Sequence, residues 1–210
     1  MKTTKKGFTL IELIVVIAII GVLAAILVPT MLGYVKKSKI SSANSAASSV
    51  YKAINSALTE LDEEGVDVGG LWILKWDGTA WGTALNVDTD TTDTIADHLG
   101  ADEAFDRKVS NFFEDIKKEK KGECAVKGGS CIAVAVCGDT TYTGTYPGGL
   151  VNTDSYEIYS DEPGLALADA IAIASGEFKA TDCYTVASKT ATRVANTCAN
   201  ADYAELQGGV

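Results

Sequence analysis

The run Phe8–Val28, FTLIELIVVIAIIGVLAAILV, determines how the rest of the chain can be arranged. As an α-helix rising about 1.5 Å per residue it would span roughly 32 Å, close to the thickness of a bilayer core. Only Met1–Gly7, MKTTKKG, stand in front of it. Because this N-terminal run contains no Ala-x-Ala cleavage site, an ordinary secretory signal peptide fits poorly. The sequence therefore predicts a membrane anchor.

Glu12 is the only charged residue inside the N-terminal run. A carboxylate within an apolar helix costs on the order of 2.5–3.5 kcal/mol, so a partner is expected. If the chain is cut after Gly7, Phe8 becomes the N-terminus and Glu12 lies one turn from a new amino group, at the positive end of a helix. Two roles are open for Glu12: local capping of the helix, or neutralisation of a terminal amine, its own or that of a neighbouring copy.

The segment KGFTLIELIVVIAIIGVLAAILVP closely resembles the N-terminus of type IV pilin precursors of the type IVa kind, and of related pseudopilins. The features that match are the short leader with its lysines, Gly7 and Phe8 on either side of the scissile bond, Glu12, and Pro29. The resemblance implies an α+β fold, in which a long N-terminal helix packs on a small antiparallel β-sheet head domain.

This resemblance also implies how the protein is used. A prepilin peptidase would remove the leader, residues 1–7, by cutting between Gly7 and Phe8, and the new Phe8 amine would be methylated. Glu12 would then pair with the Phe8 amine of an adjacent subunit during assembly into a helical filament. The chain, a structural subunit of the major type, would wait in the cytoplasmic membrane with its head outside and end in a cell-surface pilus. An inner-membrane platform and an assembly ATPase would be the further partners.

Helical patterning continues after Pro29, where a kink is expected because proline leaves the Ala25 carbonyl without its usual donor. Apolar residues then recur at a 3-4-3-4 spacing, which indicates one buried helix face. They are Ile40, Ala43, Ala47, Val50, Ile54, Ala57 and Leu61, whereas Asn55 and several serines occupy other faces. With Gly65 as a stop signal, the expected organisation is a helix over residues 8–62, with 8–28 as the anchor, and a head domain over 63–210.

Further along the chain, the pattern predicts a loop over residues 63–100 and then alternates between helices and strands. The expected elements are an amphipathic helix over 101–121, a hairpin of 124–127 and 131–137, a strand at 156–159, a helix at 165–175, and strands at 178–187 and 192–198.

The five cysteines all follow residue 120 and lack the Cys-x-x-Cys spacing of metal sites, so disulfides in an oxidising compartment are favoured. In one straight strand Cys131 and Cys137 would lie about 20 Å apart, too far to bridge. Type IV pilins commonly have a C-terminal disulfide loop, and the resemblance therefore implies Cys183–Cys198. Cys124 could pair with either Cys131 or Cys137.

Other functions find less support in the sequence. The net charge of −10 argues against direct nucleic-acid binding. No catalytic motif accompanies the single histidine, His98, so neither an enzyme nor a cofactor is expected. The acids of NVDTDTTDT, residues 86–94, lack the glycine and glutamate of a calcium loop, and no metal site is predicted.

Two alternatives stay open: a major pseudopilin of a type II secretion system or competence pilus, and a minor pilin adhesin. The adhesin would bind carbohydrate through Trp72, Trp76 and Trp81, although these residues more simply pack a loop onto the head. The sequence does not say whether the filament serves adhesion, motility, DNA uptake or secretion.

Overall fold

The computed structural model describes residues 8–86, 94–139, 141–148 and 150–175. The chain divides into two compact units between Ser38 and Lys39, called here the first and second units. The helices are α1 (Leu10–Glu63), α2 (Ala104–Phe112) and α3 (Pro163–Ser175), with 3-10 turns at Ile95–His98 and Glu114–Lys118. The strands are β1 (Leu71–Trp76), β2 (Trp81–Asn86), β3 (Lys121–Lys127), β4 (Ser130–Cys137) and β5 (Thr143–Tyr146).

All five strands form one antiparallel sheet in the order β2-β1-β3-β4-β5. One sheet face carries Trp72, Leu74, Cys124 and Val126, which share a core with α1 residues from Ala47 to Leu61. The opposite face carries Ile73, Ala125, Ala133 and Ala135, which share a second core with α3 and the segment 150–159. The fold is therefore α+β with a long N-terminal helix packed on a small antiparallel sheet, as predicted.

The part of α1 that belongs to the second unit buries the face that the spacing predicted. Its buried residues are Ile40, Ala47, Val50, Ala53, Ile54, Ala57, Leu58 and Leu61. The helix ends with Gly65 at φ 85°, where the Gly65 N–H donates to the Asp62 carbonyl and the Val66 N–H to the Leu61 carbonyl. These two bonds form a Schellman motif, which explains why a glycine is needed at this stop.

Two asparagines of α1, eleven residues apart and hence on one helix face, bond to the sheet. Asn44 Oδ1 accepts the Thr145 N–H of the edge strand β5 at 3.0 Å, and Asn44 Nδ2 donates to the Val151 carbonyl at 3.4 Å. Asn55 Oδ1 accepts the Cys131 N–H of β4 at 3.0 Å. Asn55 lies off the apolar stripe, as expected, and its amide there satisfies a backbone N–H of the sheet.

Gly144 of β5 lies directly against the α1 backbone. A Cβ built on this glycine would stand 1.9 Å from the Ala43 carbonyl oxygen and 2.7 Å from the Asn44 nitrogen. Both obstacles are backbone atoms, so no side-chain rotation could make room. Ala43, which belongs to the predicted apolar stripe, is only half-buried. It meets the sheet through its backbone, which lies against the backbone of Gly144.

The region 63–100 was predicted as a loop, and that prediction is wrong, because β1 and β2 form a hairpin there. The turn between them is built by Asp77, whose Oδ1 accepts the N–H groups of Thr79 and Ala80 and the Thr79 hydroxyl. Gly78 has φ 99° in the same turn. An Asp-Gly pair between apolar runs is a hairpin signal, and the many polar residues around it obscured it.

The predicted helix over 101–121 is broken. α2 ends at Phe112, Phe113 takes φ −147° and ψ 84°, and a 3-10 turn follows. The break buries Ile116 completely and leaves Phe112 48% exposed. Lys121, which helical periodicity placed at the end of this helix, is the first residue of β3 and pairs with Cys137. Pairing with β4 therefore overrides the helical pattern at this residue.

The β3–β4 hairpin, which turns at Gly128–Gly129, and α3 are confirmed. The predicted strand at 156–159 is wrong: the segment is a turn held locally, with Asn152 Oδ1 accepting the N–H groups of Asp154 and Ser155. Strand β5 was not foreseen, because TGTY is short and contains glycine. The predicted strands at 178–187 and 192–198 lie outside the described residues.

A buried carboxylate joins the β1–β2 hairpin to α2. Asp106 is 3% exposed, and its Oδ1 accepts the Trp81 N–H at 2.9 Å. Burial raises the pKa of Asp106 to about 6, the negative charges of Asp77 and Glu103 add to this, and hydrogen bonds from the Trp81 and Gly100 N–H groups only partly oppose it.

We expect Gly144→Ala to lower the free energy of unfolding by about 3 kcal/mol or more, since the added methyl group forces β5 away from α1. The measurement is urea unfolding of the detergent-solubilised chain. Gly148→Ala is the matched control, because nothing lies within 4 Å of a Cβ at Gly148. Equal stability of the two variants would contradict the close contact.

We expect Asp106 to make the fold more stable in acid. In the folded chain the pKa of Asp106 is about 6, above the ordinary value of an aspartate. Its contribution to the free energy of unfolding is therefore fully present below that ordinary value. It falls by about 3 kcal/mol in total as the pH rises through 6. Asp106→Asn keeps an acceptor for the Trp81 N–H and should remove this part of the profile. Unfolding between pH 4 and 8 measures it, with the exposed Asp102→Asn as control. Parallel profiles for wild type and Asp106→Asn would rule the effect out.

Candidate functional site

The first unit presents an apolar helix surface with no burial. Every large hydrophobic side chain from Phe8 to Val35 is between 48% and 83% exposed. Helix α1 is long and apolar enough to cross a membrane, judged by its length and composition. Soluble proteins rarely expose a contiguous apolar patch of this extent unless it meets lipid or protein.

At the start of α1, Thr9 and Glu12 form a reciprocal cap. Glu12 Oε2 accepts the Thr9 N–H at 2.8 Å and the Thr9 hydroxyl at 2.7 Å, while the Glu12 N–H points to the Thr9 hydroxyl oxygen at 3.4 Å. This is a capping box, Thr-x-x-Glu, which satisfies otherwise unpaired N–H groups of the first turn. The local role considered for Glu12 is thus present in the structure. Thr9 was not predicted as the capping partner, although the Thr-x-x-Glu spacing signals it.

Pro29 lies inside α1, and the helix continues through it to Glu63. The hydroxyl of the next residue, Thr30, donates to the Leu27 carbonyl at 2.9 Å and to the Ile26 carbonyl at 3.4 Å. A hydroxyl that bonds carbonyls of the preceding turn supports helix backbone near a proline. The kink at Pro29 stays a prediction, and Thr30 is a second residue that sequence reasoning missed.

Of the two residues predicted to flank the cleavage site, Phe8 precedes α1 and is 83% exposed. Gly7 and the rest of the leader lie outside the described residues. Phe8, Thr9 and Glu12 therefore lie together at the free end of the apolar helix, where a new amine at Phe8 would be one turn from the Glu12 carboxylate.

Known proteins share this segment. The family model for the prokaryotic N-terminal methylation motif matches residues 2–28. The type IV major fimbrial protein FimA of Dichelobacter nodosus is 37% identical over 100 residues, which cover 48% of this chain and 59% of the relative. Over this segment the chain is similar to type IV pilins and carries their N-terminal methylation motif.

Other type IV pilins match over shorter stretches. A fimbrial protein of Pseudomonas aeruginosa is 46% identical over 56 residues, 27% of this chain and 36% of the relative. The type IV major pilin protein PilA of Myxococcus xanthus is 46% identical over 57 residues, 27% of this chain and 26% of the relative. The chain thus spans about three-fifths, or less, of the length of these relatives. No solved structure matches it significantly.

The three tryptophans of the second unit are core residues. Trp72, Trp76 and Trp81 are each 1–2% exposed. The indole N–H of Trp76 donates to the Glu119 carbonyl at 2.8 Å, and the rings of Trp76 and Trp81 lie 5.7 Å apart. Their packing role is therefore what the structure supports, since none offers a ring face to a sugar in solution.

The cysteines divide between the two faces of the sheet. Cys124 and Cys131 belong to the core under α1. Cys137 is buried too, but its Sγ lies 2.8 Å from the Thr143 hydroxyl, on the face that carries Ala133 and Ala135. All three are free thiols in this structure. Pairing of Cys124 with Cys137 across the sheet is thereby excluded, and Cys183–Cys198 falls outside the described residues.

Among the described residues, no group of three or more His, Cys, Asp or Glu side chains could hold a metal ion. Asp88, Asp90 and Asp93 lie in the undescribed stretch 87–93. His98 ends the short 3-10 turn at Ile95–His98.

Proposed function

We propose that this chain is the precursor of the major structural subunit of a type IV pilus. The observation that carries the proposal is the first unit: a helix whose large apolar side chains are all exposed and whose single carboxylate is at its first turn. Burying one Leu, Ile or Val side chain is worth about 1.5–3 kcal/mol, so this surface cannot remain in water. It is suited to lipid before assembly and to other copies of itself afterwards.

Processing follows from the matched motif. A prepilin peptidase cuts between Gly7 and Phe8, removes the leader and exposes an amine at Phe8, which is then methylated. The relatives support this proposal through their names, type IV major fimbrial protein and type IV major pilin protein. The chain itself performs no catalysis in this scheme.

Assembly uses Glu12 as the register-setting group. The carboxylate bonds to Thr9 only through Oε2 in the described contacts, which leaves Oε1 to meet the Phe8 amine of a neighbouring subunit. Within an apolar bundle that ion pair would be screened by neither water nor salt. Copies stored in the cytoplasmic membrane, single-pass and with the head outside, would be drawn from it by an inner-membrane platform and an assembly ATPase into a surface filament.

The alternatives make different predictions about the second unit. A pseudopilin of a type II secretion system or competence pilus has the same N-terminal segment and would form few free surface filaments. The carbohydrate-binding minor pilin depended on Trp72, Trp76 and Trp81, and their burial removes its main support. Abundance in sheared filaments separates a major subunit from both.

The first test is to shear cells, image the released material and sequence its main protein band from the N-terminus. We expect filaments whose dominant protein begins at Phe8, with added methyl mass on that residue. Material that begins at Met1, or filaments in which this chain is a trace component, would refute the proposal.

The second test separates the two roles of Glu12. We expect Glu12→Val to give a processed, membrane-inserted protein whose filament yield falls at least about tenfold, the equivalent of losing 1.4 kcal/mol per docked subunit. Thr9→Ala removes only the local hydroxyl contacts, so it should still assemble. Glu63→Val, at the exposed end of α1, is the charge-matched control.

Yield is measured as sheared pilin relative to total pilin. If Thr9→Ala and Glu12→Val lose filaments equally, capping explains the effect and intermolecular pairing does not. Normal filaments from Glu12→Val would dismiss the assembly role altogether.

A further inference from the structure

Cys124 and Cys131 lie on the same face of the sheet, as diagonal neighbours on the adjacent strands β3 and β4, because of a β-bulge. In β3–β4, Cys124 pairs with Val134, Ala125 with Ala133 and Val126 with Cys131, so the register shifts by one residue at Ile132. With strict alternation Cys131 would share a face with Ala133, Ala135 and Cys137. The extra residue turns Cys131 to the face of Cys124 and Val126.

Both cysteines belong to the same buried core cluster under α1. Burial raises the pKa of the Cys124 thiol well above its ordinary value, and the adjacent Cys131 thiol, within hydrogen-bonding reach, raises it further. Both residues are at most 1% exposed. Cys137 has the opposite surroundings: it lies on the other face beside the Thr143 hydroxyl, whose proton goes to the Tyr159 carbonyl.

We propose that Cys124 and Cys131 are a covalent modification site and close into a disulfide when the chain is exported. This proposal rests on the proposed function only in placing the second unit outside the cytoplasm, where thiol oxidants act. Cys137 takes no part in it.

The oxidation needs a disulfide donor, such as an extracytoplasmic thiol–disulfide oxidoreductase or a small-molecule disulfide. One cysteine thiolate attacks the donor disulfide, which forms a mixed disulfide and releases one donor thiol. The other cysteine thiolate then displaces the second donor sulfur. Two electrons pass to the donor, two protons leave the cysteines and two protons end on the donor dithiol.

The position of the two thiols indicates when, during folding, the disulfide forms. The β3–β4 hairpin is a local structure joined by Gly128–Gly129, and local hairpins form faster than long-range contacts. α1 covers the pair only afterwards, through the Asn55 bond to the Cys131 N–H and the core it completes. Oxidation therefore precedes docking of α1, and the finished bond is then shielded from reducing thiols.

Peptide mapping of the full-length chain tests the proposal directly. Sheared material is alkylated without reduction and digested with trypsin, which cuts after Lys121, Lys127 and Lys179. Cys124 then lies alone in residues 122–127, whereas Cys131 and Cys137 share residues 128–179. We expect these two peptides to be joined and two hydrogens lighter than their sum. Alkylated Cys124, or its linkage to the peptide of Cys183 or Cys198, would overturn the proposal.

Three serine variants identify the partner. Cys124→Ser and Cys131→Ser should each abolish the link and lower the thermal midpoint of the detergent-solubilised subunit by about 5–10 °C. Cys137→Ser is the matched control and should keep both the link and the midpoint. A link that persists in Cys131→Ser but disappears in Cys137→Ser would assign the bond to Cys137 and refute the geometry.

A further experiment distinguishes failure of the disulfide from failure of the proposed function. The purified, reduced full-length chain is unfolded, then refolded in detergent with glutathione disulfide. The 122–127 to 128–179 link should form there even if the chain never reaches a surface filament in cells. Absence of the link in vitro overturns the disulfide, whereas absence of filaments in cells overturns only the pilus.

Discussion

An exposed apolar helix imposes the main constraint on this molecule. From Phe8 to Val35 its large side chains find no cover within the described chain, whereas the same helix from Ala47 to Leu61 has a face that is completely or almost completely buried. A single polypeptide therefore carries one segment that folds by itself and one that is stable only in lipid or against other copies. The proposed storage in a membrane and the proposed polymerisation would both remove the hydrophobic cost of this exposed surface.

The second unit holds its part of α1 firmly, by apolar packing and by directional backbone contacts. Apolar packing supplies most of the stabilisation but is not directional. The orientation of the helix on the sheet is set by Asn44 and Asn55, whose amide oxygens accept strand N–H groups of β5 and β4. Gly144 adds a close contact between the backbones of β5 and α1. Asn44 also occupies the outer edge of β5, and a covered edge resists unwanted pairing with strands of neighbouring copies.

The sequence was informative where local pattern and tertiary packing agree. The 3-4 spacing placed α1 and its stop at Gly65, and the glycine turn placed the β3–β4 hairpin. It misled where packing overrode pattern: Lys121 joins β3 although the helical period reaches it, and Trp72 and Trp76 lie in a strand between polar loops. Thr9 was readable from its spacing to Glu12 but was missed. The bulge at Ile132 leaves no signal in composition or period, so the face of Cys131 could only be seen in the structure.

The capping box changes how the charge of Glu12 should be understood. A carboxylate that already accepts two hydrogen bonds from Thr9 is partly compensated, so in the proposed membrane-stored state it would cost less than a lone charge. Docking can then favour the correct register only by the difference between the intermolecular ion pair and these local bonds. Under the proposed function, the local cap would therefore weaken the driving force for assembly and lower the cost of storage in the membrane. In the proposed assembly, this balance would permit a reserve of subunits that polymerise only where the Phe8 amine and the Glu12 carboxylate of adjacent copies meet.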